Sequence, residues 1–223
     1  MVIKDFKNIK IQEANRYFKE IIFQSAHLEN KGITYAETIN TIEFYDEAIK
    51  TIPFEKVAII NGLKRAYEYI IVRANSNNLP NEQDLLKING FIDEYEEYAN
   101  AGNYRNKPVK ISGSSWVPPL LDVNQAKQLV NDLSKIKSFD DGVKLCAELS
   151  KQQLFNNGNK RTAICYANLV LLYYGYDFIQ IKDRMKYMNK LVDFYEDQDK
   201  FKDLLDYVKE NSIDKNEQTR KDK

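Results

Sequence analysis

Helical periodicity extends through most of this chain, and few residues interrupt it. Apolar side chains recur at intervals of three and four residues, the spacing that places them on one face of an α-helix. Only eight glycines and five prolines occur in 223 residues. A hydrophobic content of 43%, with 12% aromatic residues, is enough for one good core or at most two small ones. Because the composition does not shift along the chain, we expect one compact, mainly α-helical domain.

Capping residues mark where several of these helices begin and end. Thr34 with Glu37 three residues later forms a capping-box pattern at a helix start. Asp122 is expected to cap a later helix, and Gly175 is expected to end another. The predicted helices cover residues 6–26, 34–49, 55–75, a segment after 80–81, 122–137, 140–152, 159–174 and two further segments within 183–211.

One segment departs from the helical pattern. Val109, Ile111 and Trp116 surround the turn-forming sequence SGSS at residues 112–115. Apolar spacing of this kind about a turn predicts a β-hairpin within residues 104–119. Two roles are compatible with it: closing the helical core with Trp116 as a buried anchor, or binding an extended segment along an exposed edge.

Charge and residue counts exclude several classes of function. The 33 basic and 33 acidic residues cancel, so we expect neither a nucleic-acid nor a membrane partner. The N-terminus has no apolar signal core, and the apolar run at 169–174 is too short to span a bilayer. Cys146 and Cys165 are expected to be buried free thiols of a cytoplasmic protein. The single histidine, His27, excludes a histidine-rich metal site.

The sequence QLFNNGNKRTA at residues 153–163 has the features of an anion-binding loop that opens a helix. Gly158 allows a tight turn, and the N–H groups that follow at a helix start attract anions. Lys160 and Arg161 add positive charge, and a guanidinium can hold a phosphate through two nitrogens. Basic residues at a helix start oppose the helix dipole, so a solvated surface helix has no reason to carry them. Phe155 is expected to pack inward and fix the loop.

Residues 153–161 resemble the signature of the Fic/Doc (Fido) family, His-x-Phe-x-Asp/Glu-Gly-Asn-Gly/Lys-Arg. Residues 102–119 resemble the flap of that family, a β-hairpin that holds a target peptide beside the nucleotide. The sequence SAHLEN at 25–30 is similar to the Ser/Thr-x-x-x-Glu-Gly/Asn motif of its autoinhibitory helix. The resemblance implies a Fic-type helical bundle with a β-hairpin flap beside the active site. N-terminal helices including the inhibitory one would occupy residues 1–50, the Fic core 51–211, and a disordered tail 212–223.

The resemblance also implies a chemistry and a set of site residues. In active members the histidine deprotonates a protein hydroxyl, which attacks the α-phosphate of ATP, so that AMP is transferred and pyrophosphate leaves. ATP and Mg²⁺ are the implied cofactors, and the partner is a target protein bound along the flap. Glu29 corresponds to the glutamate that occupies the γ-phosphate site in inhibited members. The implied phosphate-binding residues are Gly158, Asn159, Lys160 and Arg161, and the implied target-binding residues are Lys110, Ile111, Ser112, Gly113, Ser114 and Ser115.

Four positions depart from the family pattern. Gln153 stands at the histidine position and cannot accept a proton near neutral pH. Asn157 replaces the Asp or Glu that binds magnesium, and a neutral amide is a weaker ligand. Lys160 is the choice of the Doc kinases, which bind ATP in reversed orientation. The second arginine of the family is Ile164 here, so Glu29 must pair with Arg161 or Lys160, or lie unpaired at the surface.

Three functions remain compatible with the sequence. The first is a Fic protein with impaired or altered AMP transfer that keeps nucleotide binding. The second is an active enzyme of unusual chemistry, either removing AMP with Glu29 as the base or transferring phosphate as Doc does. The third is a non-enzymatic protein-interaction module. The sequence is also compatible with a homo-oligomer. It is compatible with delivery of the protein as an effector, by a route that the sequence does not reveal.

Overall fold

The computed structural model describes residues 2–95 and 99–212, and these residues confirm the mainly helical architecture. A short 3-10 helix, Gln198–Lys200, precedes the last α-helix. The α-helices of the described residues are α1 (Val2–Arg16), α2 (Phe18–Ala26), α3 (Tyr35–Glu43), α4 (Tyr45–Thr51), α5 (Phe54–Ala74), α6 (Glu82–Asp93), α7 (Val123–Leu133), α8 (Phe139–Gln152), α9 (Asn159–Tyr174), α10 (Arg184–Glu196) and α11 (Phe201–Ser212).

Two helices that the periodicity predicts as continuous are each divided in the structure. The first is interrupted at Tyr17 (φ −90°, ψ 10°), between α1 and α2. The second is interrupted at Phe44 (φ −131°, ψ 56°), between α3 and α4. Hydrogen bonding continues across Tyr17, whose N–H donates to the Glu13 carbonyl at 3.0 Å and whose carbonyl accepts from Ile21 at 2.9 Å. Because one residue divides each helix and the apolar spacing continues on both sides, periodicity alone does not reveal the division.

The predicted helix starts are confirmed where a capping residue marks them. The Thr34 hydroxyl accepts the Glu37 N–H at 3.2 Å, and the Glu37 carboxylate accepts the Thr34 N–H at 2.7 Å. Asp122 accepts two N–H groups of the first turn of α7. That helix ends at Leu133 and does not continue to residue 137 as predicted. The helices predicted at 55–75, 140–152 and 159–174 are confirmed to within one residue at each end.

α9 lies at the centre of the core, packed against α5, α6 and α8. Residues 161–172 of this helix are all buried. A helix that is buried on every side belongs to the interior of a domain. Cys165 in α9 and Cys146 in α8 are both buried free thiols, as predicted. The loop that contains Gly158 therefore leads into the N-terminal end of the most buried helix of the described chain.

α5 and α6 approach each other closely at Gly62. A Cβ atom at this position would lie 2.6 Å from the Phe91 carbonyl oxygen and 3.3 Å from Ile92 Cα. A residue without a Cβ atom is therefore needed for the two backbones to come this close. α6 also carries Asn89 and Asp93, which contact the loop before α9. The contact at Gly62 thus helps to fix α6 against the site.

The prediction of a β-hairpin is wrong, because residues 104–121, all of them described, contain no strand. The predicted turn is present, since the Ser114 N–H donates to the Ile111 carbonyl at 3.3 Å. Pro118 and Pro119 have no N–H to contribute to a ladder. Their carbonyls instead accept from the Arg105 guanidinium, at 3.3 and 2.6 Å. We call residues 104–121 the flap segment.

A connected hydrophobic core extends from Ala14 in α1 to Val208 in α11. Within the described ranges, no helix combines the length and the apolar character needed to cross a membrane. The tail predicted to be disordered from residue 212 begins one residue too early, because Ser212 is buried at the end of α11. The rest of that predicted tail, residues 213–223, lies outside the described residues.

Candidate functional site

The loop between α8 and α9 covers residues 153–158 and has left-handed backbone conformations at both ends. Gln153 has φ 48° and ψ 56°, and no other non-glycine residue in the described part of the chain has a positive φ. Gly158 has φ 70° and directly precedes α9. A Cβ atom at Gly158 would lie 3.0 Å from Ile92 Cγ2, so conformation and packing both favour glycine there. The first N–H groups of α9 have no acceptor within the helix, which is the property expected of an anion site.

The side chain of Asn159 braces this loop from within. Its amide oxygen accepts the Phe155 N–H at 2.9 Å, and its amide nitrogen donates to the Phe155 carbonyl at 2.8 Å. Phe155 is buried, as predicted, and its ring stacks on that of Tyr104 at a centroid distance of 5.7 Å. Since both polar groups of the Asn159 side chain are engaged, its contribution to an anion would come from its backbone N–H.

Asn89 of α6 is a site residue that the sequence analysis did not find. It is fully buried, and its amide nitrogen donates to the Asn157 carbonyl at 3.3 Å and to the Thr162 hydroxyl at 3.1 Å. Its amide oxygen accepts the Gly102 N–H at 2.9 Å. One buried amide thus joins the loop, α9 and the start of the segment that leads to the flap. A buried polar group is retained only where it is satisfied in this way, but nothing in the local sequence distinguishes Asn89 from a surface residue of a helix.

Asn157, the predicted weak magnesium ligand, is held by a carboxylate. Its amide nitrogen donates to Asp93 Oδ1 at 2.9 Å, and Asp93 is only 1% exposed. Because a carboxylate only accepts hydrogen bonds, the amide oxygen of Asn157 points away from Asp93. The described residues contain no group of three or more His, Cys, Asp or Glu side chains suited to a metal ion. Magnesium prefers carboxylates with substrate phosphates, so these residues do not by themselves make a magnesium site.

Arg161 is fully buried and forms an ion pair with Glu29. Its Nε donates to Glu29 Oε1 at 2.7 Å, between residues 132 positions apart in the sequence. The side chain of Arg161 is 0% exposed and that of Glu29 is 24% exposed. Of the arrangements that the sequence left open for Glu29, the structure contains the pair with Arg161. Ile164 is buried in α9. Because its side chain is aliphatic, this position adds no charge beside Glu29.

Two further cations lie near this pair. Lys160 is half-buried, and burial lowers the pKa of its ammonium below the usual range; Glu29 opposes that change, while Arg161 and Arg184 reinforce it. Arg184 begins α10, and its Nε donates to the Leu28 carbonyl at 3.4 Å, one residue before Glu29. The sequence analysis missed Arg184 because it lies 23 residues after the motif, at the start of another helix.

Gln153 turns its side chain back onto the end of α8. Its amide nitrogen donates to the Ser150 carbonyl at 2.6 Å, while its backbone carbonyl accepts from Arg105 Nε at 2.5 Å. Arg105 also donates its backbone N–H to the Leu154 carbonyl at 2.9 Å and its Nη1 to the Lys107 carbonyl at 2.8 Å. Burial lowers the pKa of the Arg105 guanidinium below the usual range. This arginine joins the loop at residues 153–154 to the flap segment, and sequence reasoning assigned it no role.

The turn of the flap segment is held by a carboxylate from α10. Glu196 accepts hydrogen bonds from both flap hydroxyls, Ser114 and Ser115, and from the Ser115 N–H at 2.5 Å. The side-chain hydrogen bonds from Ser114 and Ser115, with the Ser115 N–H, lower the pKa of Glu196 to about 2. Trp116 is anchored at its other side, where its indole N–H donates to the Lys151 carbonyl at 3.3 Å and its ring lies 4.3 Å from the Lys151 ammonium.

Most of the remaining predicted flap residues are exposed to solvent. Lys110, Ser112 and Gly113 are exposed, and Ile111 is partly buried against the core. His27 makes packing contacts: its ring lies 5.5 Å from that of Phe23, and its Nδ1 is 3.3 Å from the Ile33 carbonyl oxygen. The structure therefore gathers Glu29, Lys160 and Arg161 at one place and connects the flap segment to the neighbouring residues 153–154.

The helical fold thus pairs Arg161, in the first turn of α9, with Glu29 from the segment that follows α2. Residues 79–171 match the model of the Fic/DOC family. The matched stretch contains both the loop and the flap segment. No curated protein matches the sequence.

Solved structures of Fic proteins share the fold. A fragment of Fic-1 from C. elegans superposes with a TM-score of 0.70 at 16% identity, covering 93% of this chain and 66% of that chain. A Fic domain containing signaling protein from Bacteroides thetaiotaomicron gives a TM-score of 0.66 at 21% identity, covering 82% of this chain and 74% of that one. The chain thus spans slightly less than two thirds of the Fic-1 fragment, and identities this low establish the fold alone.

Proposed function

We propose that this chain is a Fic-type protein that binds the phosphates of ATP at residues 158–161, is inhibited by Glu29, and is impaired in AMP transfer to a protein hydroxyl. The observation that carries the proposal is the pair between Glu29 and the fully buried Arg161. A guanidinium removed from water needs an anion. Glu29 supplies that anion here, and a phosphate offers the same acceptor chemistry.

The position of Glu29 makes it a replaceable anion. It follows α2, outside any helix, and it is partly exposed whereas its partner is not. A ligand phosphate can therefore displace the carboxylate by moving the segment after α2, without unpacking α9. Gly158, the N–H groups at the start of α9 and Lys160 complete the proposed phosphate site. Magnesium would enter with the nucleotide and reach the Asn157 amide oxygen at most.

The proposed impairment follows from Gln153. An amide is no base near neutral pH, and this one is already bonded to the Ser150 carbonyl. A positioned general base contributes typically about 10²–10⁴-fold to a rate. Loss of the general base slows the chemical step. The proposed phosphate contacts of the neighbouring loop stay in place. A protein target would contact the exposed turn at residues 110–115.

Calorimetry with ATP and Mg²⁺ tests the proposal. We expect weak binding to the unmodified chain, binding tighter by about tenfold or more in Glu29→Ala, and loss of binding in Glu29→Ala with Arg161→Gln. Glu43→Ala is the matched control, since it removes a surface carboxylate paired with Lys19 and should change nothing. Absence of binding to Glu29→Ala at millimolar ATP would contradict the proposal and favour the interaction module.

A second candidate is removal of AMP from a modified protein, with Glu29 activating a water molecule. The partial exposure of Glu29 favours this candidate, because water can reach its carboxylate. Among the described residues, Glu29 is the carboxylate that pairs with Arg161. Release of AMP from a pre-modified protein, lost in Glu29→Gln, would support it. Transfer of phosphate to a protein in place of AMP would instead support Doc-like chemistry, in keeping with Lys160.

A further inference from the structure

Arg184 contacts the same segment that Arg161 holds. Its Nε donates to the Leu28 carbonyl, and the next residue, Glu29, accepts from Arg161. Two arginines, one at the start of α9 and one at the start of α10, therefore flank a single short stretch of backbone. Lys160 precedes Arg161 directly, and the charges of Glu29, Arg161 and Arg184 all act on its pKa, so the three cations lie near one another.

The contacts of Arg184 do not account for its charge. Among residues 2–95 and 99–212 it forms no ion pair, and its side chain donates to the Leu28 carbonyl at 3.4 Å and to the Met185 sulfur at 3.3 Å. The first distance is long for a hydrogen bond and the second acceptor is weak. The neighbouring Asp183 is used elsewhere, since it caps α10 by accepting the Lys186 N–H at 3.0 Å.

The location of Arg184 in its helix also points to an external anion. The first turn of a helix carries about half a positive charge, so the start of α10 stays positive when Arg184 is counted together with the capping carboxylate of Asp183. Glu29 is the anion that the described residues supply to this cluster, and it is committed to Arg161. A ligand with several negative charges would satisfy both arginines and Lys160 at once, which a single carboxylate does not.

We infer that Arg184 is a binding residue for the terminal phosphates of a polyphosphate ligand, and that it forms with Arg161 a two-arginine clamp around the position of Glu29. The inference rests on the proposed function where the ligand is a nucleoside triphosphate. The shared chemistry is that of a linear polyphosphate, whether attached to a nucleoside or free. A ligand with several phosphates can reach Arg184 and the start of α9 together, whereas the single phosphate of AMP bound at residues 158–161 would not, so the clamp should distinguish ATP from AMP.

The test compares three ligands in the Glu29→Ala background, where the carboxylate no longer competes. The probes are ATP, AMP and inorganic tripolyphosphate, titrated by calorimetry. Arg184→Gln should raise the Kd for ATP and for tripolyphosphate by about tenfold or more, as expected for lost hydrogen bonds to a charged group. The Kd for AMP should stay within about twofold. Lys186→Gln is the matched control, because it removes an exposed positive charge from the same helical turn.

The outcomes separate this inference from the proposed function. Equal Kd values for ATP in Glu29→Ala with and without Arg184→Gln would overturn the clamp and leave nucleotide binding intact. Equal weakening of ATP and AMP would overturn it too, because it would indicate a general change in the loop. Binding of tripolyphosphate but not ATP, weakened by Arg184→Gln, would support the clamp and refute the nucleotide. If neither ligand binds, both fail. Arg184→Lys, which keeps the charge, should recover part of the loss if Arg184 contacts phosphate.

Discussion

Glu29→Ala should destabilise the chain and at the same time make it respond to ATP. The substitution leaves Arg161, which is 0% exposed, without the carboxylate that it binds at 2.7 Å. Breaking a fully buried ion pair by removing one partner costs about 3–5 kcal/mol. Glu29 is 24% exposed, so water reaches the pair, and we expect a smaller loss of about 1–3 kcal/mol in the free energy of unfolding.

The loss can be measured by thermal and urea unfolding in a buffer without polyvalent anions. For a chain of this length, 1 kcal/mol changes the Tm by about 2–4 °C. A loss of about 2 kcal/mol therefore lowers the Tm by about 4–8 °C. Glu43→Ala, the surface control whose partner Lys19 is also exposed, should lower the stability by at most about 1 kcal/mol.

ATP should restore most of what Glu29→Ala removes. A ligand at a hundred times its Kd stabilises the folded state by about 2.7 kcal/mol. In the unmodified chain the same ATP concentration should change the Tm less, because ATP must first displace Glu29. The reasoning is refuted if Glu29→Ala unfolds at the unmodified Tm, or if ATP raises the Tm of both proteins equally.

Three other outcomes follow from the structure. Gln153→His combined with Glu29→Ala should transfer labelled AMP to itself or to lysate proteins, and continued silence in a variant that binds ATP would mean that the site lacks more than the base. The carboxylate of Glu196 has its pKa lowered to about 2, so its hold on the flap is complete above the unfolded pKa near 4.5 and is lost as the pH falls towards 2. The emission of Trp116, the single tryptophan, should shift over that range and shift at neutral pH in Glu196→Gln; no shift in that variant would refute the contact. Gly62→Ala gains about 1 kcal/mol of helix propensity but forces a Cβ atom to 2.6 Å from a backbone carbonyl, so a net loss of about 1–2 kcal/mol in urea unfolding is expected.

Short-range signals in the sequence located most of the helices. The capping box of Thr34 and Glu37 acts within one turn, so the local sequence determines it. The β-hairpin failed for the opposite reason. A hairpin requires its two strands to form hydrogen bonds with each other. In the structure, the Pro118 and Pro119 carbonyls accept instead from the Arg105 guanidinium, which the local spacing of apolar residues does not reveal.

The same distinction applies to the site. The tight turn at Gly158 and the inward packing of Phe155 follow from the residues of the loop itself. The contacts of Asn89, Asp93 and Arg184 join elements far apart in the sequence, and each of these residues is unremarkable in its own helix. Motif reasoning therefore finds the loop and misses the residues from α6 and α10 that hold or extend it.

The left-handed backbone at Gln153 is held in place by contacts on both sides of the residue. This residue adopts φ 48°. Residues other than glycine rarely have a positive φ, and among them Asn, Asp and His are found there most often. Gln153 holds that conformation through two contacts: its amide bonds to the Ser150 carbonyl, and its own carbonyl accepts from Arg105. The second contact uses only the backbone carbonyl of residue 153, so it does not depend on which side chain that residue carries. Histidine at this position should therefore fit the existing loop, and Gln153→His should leave the backbone of residues 158–161 in place.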